Sequence, residues 1–316
     1  MTDYLSLLSG IVNSEGPLWR ENRAFICRMT FGAKNSGNPL KEMQNCVQKE
    51  TVEMLQLLRS ECEKKGSVDP DIFLSSAFSN VVCSMAMSTR FNHDDPEFVD
   101  FMKRFDEGFK LCSDTGALCF IPILKIFPGV QESVRKLYAN HAKTLGFVKR
   151  IVDEHRRELD VDNPKDLVDN YLIKLINEGK DSAVFQGCKD PYRQIEQVMV
   201  DLFSAGVETV KTTTKWAMVY MLHNPEVMKK VQAELDEVVG SERLPEWSDR
   251  RNLPYTQAAI NEVMRLSAIV STGTTHSNQR CVHSKPTFFG HKKPSQGSKY
   301  MGFKPAFPRT HLWTPI

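Results

Sequence analysis

The stretch that decides the fold is PYRQIEQVMVDLFSAGVETVKTTTKWAMVYMLH, residues 191–223. It opens on a proline and holds no other. If helical throughout it is about 50 Å long at ~1.5 Å per residue. Its apolar residues are less confined to one side than those of an ordinary surface helix, the pattern of an element packed on both sides. Its middle reads Ser204-Ala205-Gly206-Val207-Glu208-Thr209. A glycine inside a helix costs ~1 kcal/mol relative to alanine, so it needs a reason such as the close approach of a ligand. A threonine beside it can bond back to a carbonyl four residues earlier and bend or open the helix. A carboxylate and a hydroxyl on such a turn could hold waters and pass protons to a bound group. A tolerated glycine next to a solvent-facing glutamate fits the same six residues equally well.

Outward from this stretch the pattern stays helical. Apolar residues recur at Met43, Val47, Met54, Leu55, Leu58 and Cys62 with Lys and Glu between them, predicting an amphipathic helix over 39–62. Residues 71–88 read as a buried helix, 96–111 and 128–159 as amphipathic ones, and 166–177 as a shorter one. Asn224 and Pro225 supply an N-cap and a first-turn proline for a helix through Val239, ended by Gly240. Leu253-Pro254 opens a last helix through Leu266. Strand-like alternation is nearly absent before Ile269, so residues 1–277 read as one mostly helical domain.

Residues 278–316 differ in kind. They hold seven Lys and Arg, five prolines and no acid, against 34 basic and 39 acidic residues in the part before them. This composition predicts an irregular, basic tail. The formal charge of the whole chain, +2, favours no particular partner, nucleic acid included. The eight cysteines show no zinc-like spacing and read as reduced thiols of a cytosol-facing protein. MTDYLSLLSGIV at the start is no signal peptide, and nowhere do the ~18 unbroken apolar residues of a membrane span occur.

Two further pairs carry possible chemistry. Trp19 and Arg23, four apart, would share one helix face; indole N–H and guanidinium together suit a carboxylate. A surface arginine stacked on a tryptophan is the plainer reading. Glu262 and Arg265, three apart, interrupt the apolar run LPYTQAAINEVMRL (253–266), which predicts a buried ion pair.

In this order the features resemble the cytochrome P-450 superfamily. GIVNSEGPLWRENRAF (10–25) is similar to the helix whose Trp and Arg hold a haem propionate, and SAGVETVKTTTKWA (204–217) to the oxygen-activating helix crossing the haem. LPYTQAAINEVMRL resembles the helix of the Glu-x-x-Arg pair; SNVVCSMAMSTRF (79–91), IFPGV (126–130) and DLVDNYL (166–172) resemble connecting landmarks of the microsomal family-2-like branch. The resemblance spans about residues 5–277. It implies a mainly α cytochrome P-450 fold, a haem b cofactor, electrons from NADPH–cytochrome P-450 reductase, and hydroxylation of a lipophilic substrate. Residues 204–228 and GTTHS (273–277) further resemble an arthropod steroid hydroxylase of the ecdysone 26-hydroxylase type. Trp19, Arg23 and His276 would contact haem propionates, and Ala205 and Gly206 would border the macrocycle. Glu208 and Thr209 would relay protons to bound dioxygen, and Glu262 with Arg265 would be a structural pair. The family sits on the cytosolic face of the endoplasmic reticulum membrane; this chain shows no anchor.

The chain departs from the pattern at both ends. The N-terminal sheet region is missing, and no haem-cysteine loop follows the Glu-x-x-Arg helix. Phe289-Gly290-His291 mimics part of that loop without a cysteine after it, and Cys281 fits no motif. The tail resembles either an out-of-frame continuation or a basic isoform tail. The expectation is that the chain as given has no axial cysteine and binds haem weakly. A non-catalytic fragment or pseudoenzyme acting through partner binding is the alternative.

Overall fold

The structure is a computed structural model that describes residues 10–31, 39–119 and 121–271. His276, Cys281 and the tail from Asn278 lie outside the described residues. No strand occurs among the described residues, in keeping with the mainly α expectation. Nine α-helices are described: α1 (Gly16–Phe31), α2 (Pro39–Lys65), α3 (Asp71–Met87), α4 (Pro96–Thr115), α5 (Pro128–Glu158), α6 (Leu167–Glu178), α7 (Pro191–His223), α8 (Pro225–Val238) and α9 (Pro254–Ser267). The chain divides into two compact units at Lys211, within α7.

The first unit owes its core to the aromatic faces of α4, α5 and α7. Phe101 of α4 stacks on Phe147 of α5 with ring centroids 4.0 Å apart and meets Phe203 of α7 at 4.7 Å. Ile195, Val198 and Met199 bury the same stretch of α7. Helix starts are set locally. Asp95 accepts from the Glu97 and Phe98 amides ahead of Pro96, and Asp166 accepts from the Asp169 amide at the head of α6. The link after α3 is pinned by charge. Arg90 donates through Nε to buried Glu50 of α2 at 2.5 Å, and Asn80 holds the Phe91 backbone from both sides.

The segment ahead of α1 docks on α7. Gly10 donates its amide to Gln194 Oε1 at 2.7 Å, and the Ile11 and Val12 amides converge on Asp201 Oδ2 at 2.8 and 2.9 Å. Gly10 has φ +102°, and a Cβ there would stand 2.4 Å from Asp201 Oδ2, so glycine is required on both counts. Gln197 donates to the other oxygen of Asp201, yet burial still raises the pKa of this carboxyl.

In the second unit Val227, Ala259 and Val263 form a small core, with Tyr220, Met221 and Tyr255 packed against it. The Glu234 carboxylate of α8 receives the Tyr255 and Thr256 amides, so one helix caps the start of another. Asn224 does not act as the expected side-chain cap. Its amide instead donates back to Tyr220 O at 2.9 Å, because the carbonyls ending α7 compete for it. Gly240 follows α8 with φ +74°, as its position predicts.

Candidate functional site

The α1 face carries Trp19 and Arg23 together. The Arg23 guanidinium lies 5.7 Å from the Trp19 ring centroid, and Trp19 is 42% exposed. Both donors are therefore presented at the surface of their helix, where the buried side holds Asn22, Phe25 and Ile26.

On α7, Thr209 Oγ1 donates to Ala205 O at 2.7 Å, the back-bond expected from the sequence. Ala205 is exposed and shares a helix face with Thr209. Gly206 has a protein neighbour: a Cβ there would stand 3.0 Å from Val82 Cγ2 of α3. Close approach of α3 is thus one reason for the glycine, a use the sequence reading did not weigh.

Glu208 is not solvent-facing alone. Its Oε2 lies 2.8 Å from Lys211 Nζ, which also donates to Asp106 Oδ1 of α4 at 3.0 Å and lies 3.9 Å from Asp71 Oδ2 of α3. Lys211 is only 4% exposed. Burial works against its charge, but the hydrogen bonds it donates to Glu208 and Asp106 outweigh it and hold Lys211 above the ordinary lysine range. Glu208, Lys211 and Asp106 line a small cleft with Ser75 and Ser79 of α3 and Phe105 of α4. Trp19, Arg23, Ala205 and Thr209 are not among its lining.

His155, Asp166 and Asp169 form the one metal-like group found among the described residues. His155 Nε2 lies 2.7 Å from Asp166 Oδ2, and Nδ1 lies 2.9 Å from Ile151 O. Two ligands of a tetrahedral ion with ~2.0 Å bonds stand about 3.3 Å apart, so 2.7 Å marks a shared proton instead.

The sequence profile of the cytochrome P-450 family matches residues 2–284. The chain belongs to the cytochrome P-450 family. It is 40% identical over 288 residues to cytochrome P-450 18a1 of Drosophila melanogaster, covering 89% of this chain and 53% of that protein. It is 35% identical over 271 residues to human cytochrome P-450 2C8, covering 85% and 53%. To mouse cytochrome P-450 2J5 it is 32% identical over 265 residues, covering 83% and 50%. The chain thus spans about half the length of the curated relatives it matches.

In this cytochrome P-450 chain the Glu262–Arg265 pair forms as a fork, with Arg265 Nε 2.7 Å and Nη2 2.6 Å from the two carboxylate oxygens. The arginine keeps the Glu262 carboxyl below the usual carboxylate range. The expected burial is corrected for one partner: the Arg265 side chain is 63% exposed, whereas that of Glu262 is 13% exposed. Among the described residues α9 buries only Ala259 and Val263, one stripe, and the fork lies off it. Sequence reasoning missed Asp201 and Lys211. The signal for Asp201 was a lone carboxylate in the apolar run Val198-Met199-Val200-Asp201-Leu202-Phe203. The local signal for Lys211 was its place three residues after Glu208; its other partner Asp106 is 105 residues away.

Proposed function

We propose that the whole protein of which this chain carries the helical part is a haem-dependent monooxygenase acting on a lipophilic substrate, with electrons from a reductase. The observation that carries the reading is the Ala205–Thr209 turn, with its hydroxyl bonded back and an acid beside it, in a chain of the cytochrome P-450 family. The donor chemistry of α1 fits the group as well: an exposed indole and guanidinium on one face suit a carboxylate of the macrocycle.

When bound, haem supplies dioxygen binding and redox chemistry that side chains lack. This chain's own residues then have narrower tasks. Trp19 and Arg23, with His276, would hold the propionates. Ala205, with Gly206 beside it, offers a surface of minimal side-chain bulk for a flat ring. Thr209 Oγ can exchange its bond to Ala205 O for one to a water or bound group, and Glu208 can deliver a proton to it. Glu262 and Arg265 would fix the start of the segment after α9. A steroid of the ecdysteroid type is the proposed substrate, on the likeness of residues 204–228. The cytosolic face of the endoplasmic reticulum membrane is the proposed location; no described helix is long and apolar enough to cross a membrane.

The test is haemin titration of the full chain, followed by absorbance and by thermal shift. Arg23→Ala and Trp19→Ala are each expected to weaken binding by roughly tenfold, the equivalent of one charge-assisted bond. Equal binding by both variants and the parent would remove the propionate assignment. A second reading, that the chain acts only by binding a protein partner, predicts no haemin response at all.

A further inference from the structure

We propose that Asn22 and Tyr171 are positioning residues for the Trp19–Arg23 pair: their buried hydrogen bond fixes the roll of α1 about its own axis, and that roll decides where the two donors point. The inference rests on the reading of Trp19 and Arg23 as propionate contacts and deepens it.

At ~100° per residue Trp19 and Arg23 lie about 40° apart around α1. Both are exposed, whereas Asn22, Phe25 and Ile26 are buried. The donors therefore take their direction from the way the buried side of the helix is held. A side chain reaches ~5–6 Å from the helix axis, so a roll of about 20° carries its tip sideways by about 2 Å. A binding constellation tolerates only ~0.5 Å and ~10–20°. The roll of α1 is thus a quantity the fold has to set.

Apolar contact sets it only loosely. Phe25 meets the Tyr171 ring edge-on with centroids 4.6 Å apart, but burial of apolar surface has no preferred direction. The directional element is the Asn22 amide. Its Nδ2 donates to Leu18 O and to Val184 O, both at 2.9 Å, and its Oδ1 accepts from Tyr171 Oη at 2.8 Å. Carbonyls can only accept, so these two leave the amide a single orientation, with its oxygen towards Tyr171 and the phenol donating. One bond returns into α1, one goes to the turn after α6 and one to α6 itself, so the amide joins three pieces of chain at restricted angles. Asn22 and Tyr171 are both fully buried, and solvent does not stand ready to replace a lost partner. Loss of one polar group leaves the other unsatisfied and removes the angular restraint on α1.

For the test the full 316-residue chain is labelled with fluorotryptophan, and the Trp19 fluorine resonance is assigned by Trp19→Phe. Tyr171→Phe removes one hydroxyl and keeps the ring against Phe25. It is expected to shift or broaden the Trp19 resonance, to lower the thermal midpoint by a few degrees, and to weaken haemin binding roughly threefold or more. Asn22→Leu combined with Tyr171→Phe removes both polar groups, so the thermal midpoint should recover most of that loss. The Trp19 resonance and the haemin affinity should stay displaced, which a purely stabilising role of the pair would not produce. Recovery of all three in the double variant overturns the proposal, as does a Trp19 resonance at its parent position in Tyr171→Phe. Should Tyr171→Phe not fold, a parent-position resonance in the double variant overturns it instead. A displaced resonance with unchanged haemin affinity supports the roll assignment and removes the propionate contact, so the two readings fail separately.

Discussion

A ring nitrogen can satisfy an acceptor only by carrying a proton, and both nitrogens of His155 face acceptors, Ile151 O and Asp166 Oδ2. Burial opposes the charge, yet the Asp166 carboxylate prevails and raises the pKa to about 9. The raised value fixes the sign of the linkage. The imidazolium adds stability that is fully present below the ordinary histidine pKa of ~6.5 and is lost as pH rises through about 9. Unfolding followed by circular dichroism should therefore show the parent losing stability between pH 6.5 and 9. His155→Gln should start lower at pH 6, by ~1–3 kcal/mol, and change less over that window. Identical slopes for the two proteins would refute the imidazolium assignment.

At the scale of elements, α3 and α7 meet where Gly206 has no side chain. Alanine there would gain ~1 kcal/mol of helix propensity but would press on Val82 at 3.0 Å, an overpacking that costs ~1–3 kcal/mol. Gly206→Ala is expected to be destabilising or neutral in the parent but stabilising when Val82 is first changed to alanine. A double-mutant cycle by urea denaturation reads that coupling; additive effects would mean that the helices part freely. The helices themselves were legible in the sequence. Pro191 and His223 bound α7 as read, and Pro96, Pro128, Pro225 and Pro254 each open one, because proline at a first turn loses nothing. The short 3-10 turns at Pro122–Ile126 and Trp247–Asn252 were not, since they follow from the chain's need to turn between packed helices rather than from a period. At the site, the pairs Trp19/Arg23, Ala205/Thr209 and Glu262/Arg265 were legible because each lies within one helical turn. The contacts of Lys211 with Asp106 and of Asp201 with Ile11 were illegible because each joins segments more than a hundred residues apart.

At the scale of the molecule, the two units differ in what holds them. The first has an extended aromatic and aliphatic core, whereas the core cluster of the second comprises, among the described residues, only Val227, Ala259 and Val263. Local opening follows buried apolar contact. Hydrogen–deuterium exchange read by mass spectrometry should find peptides of α8 and α9 losing protection at least ~10-fold faster than those of α5 and the first half of α7. Comparable protection across both would mean that the small core is not what limits the second unit. The docking of residues 10–12 on α7 bears on how the chain is made. The amides of Ile11 and Val12 leave the ribosome ahead of Asp201, which reaches them 190 residues later. At about 5–20 residues per second of synthesis, they wait for about 10–40 s without their acceptor. Over that interval the leading segment is open to chaperones and proteases. A ribosome stalled between Val12 and Asp201 would therefore release a product whose residues 10–12 have nothing to close upon.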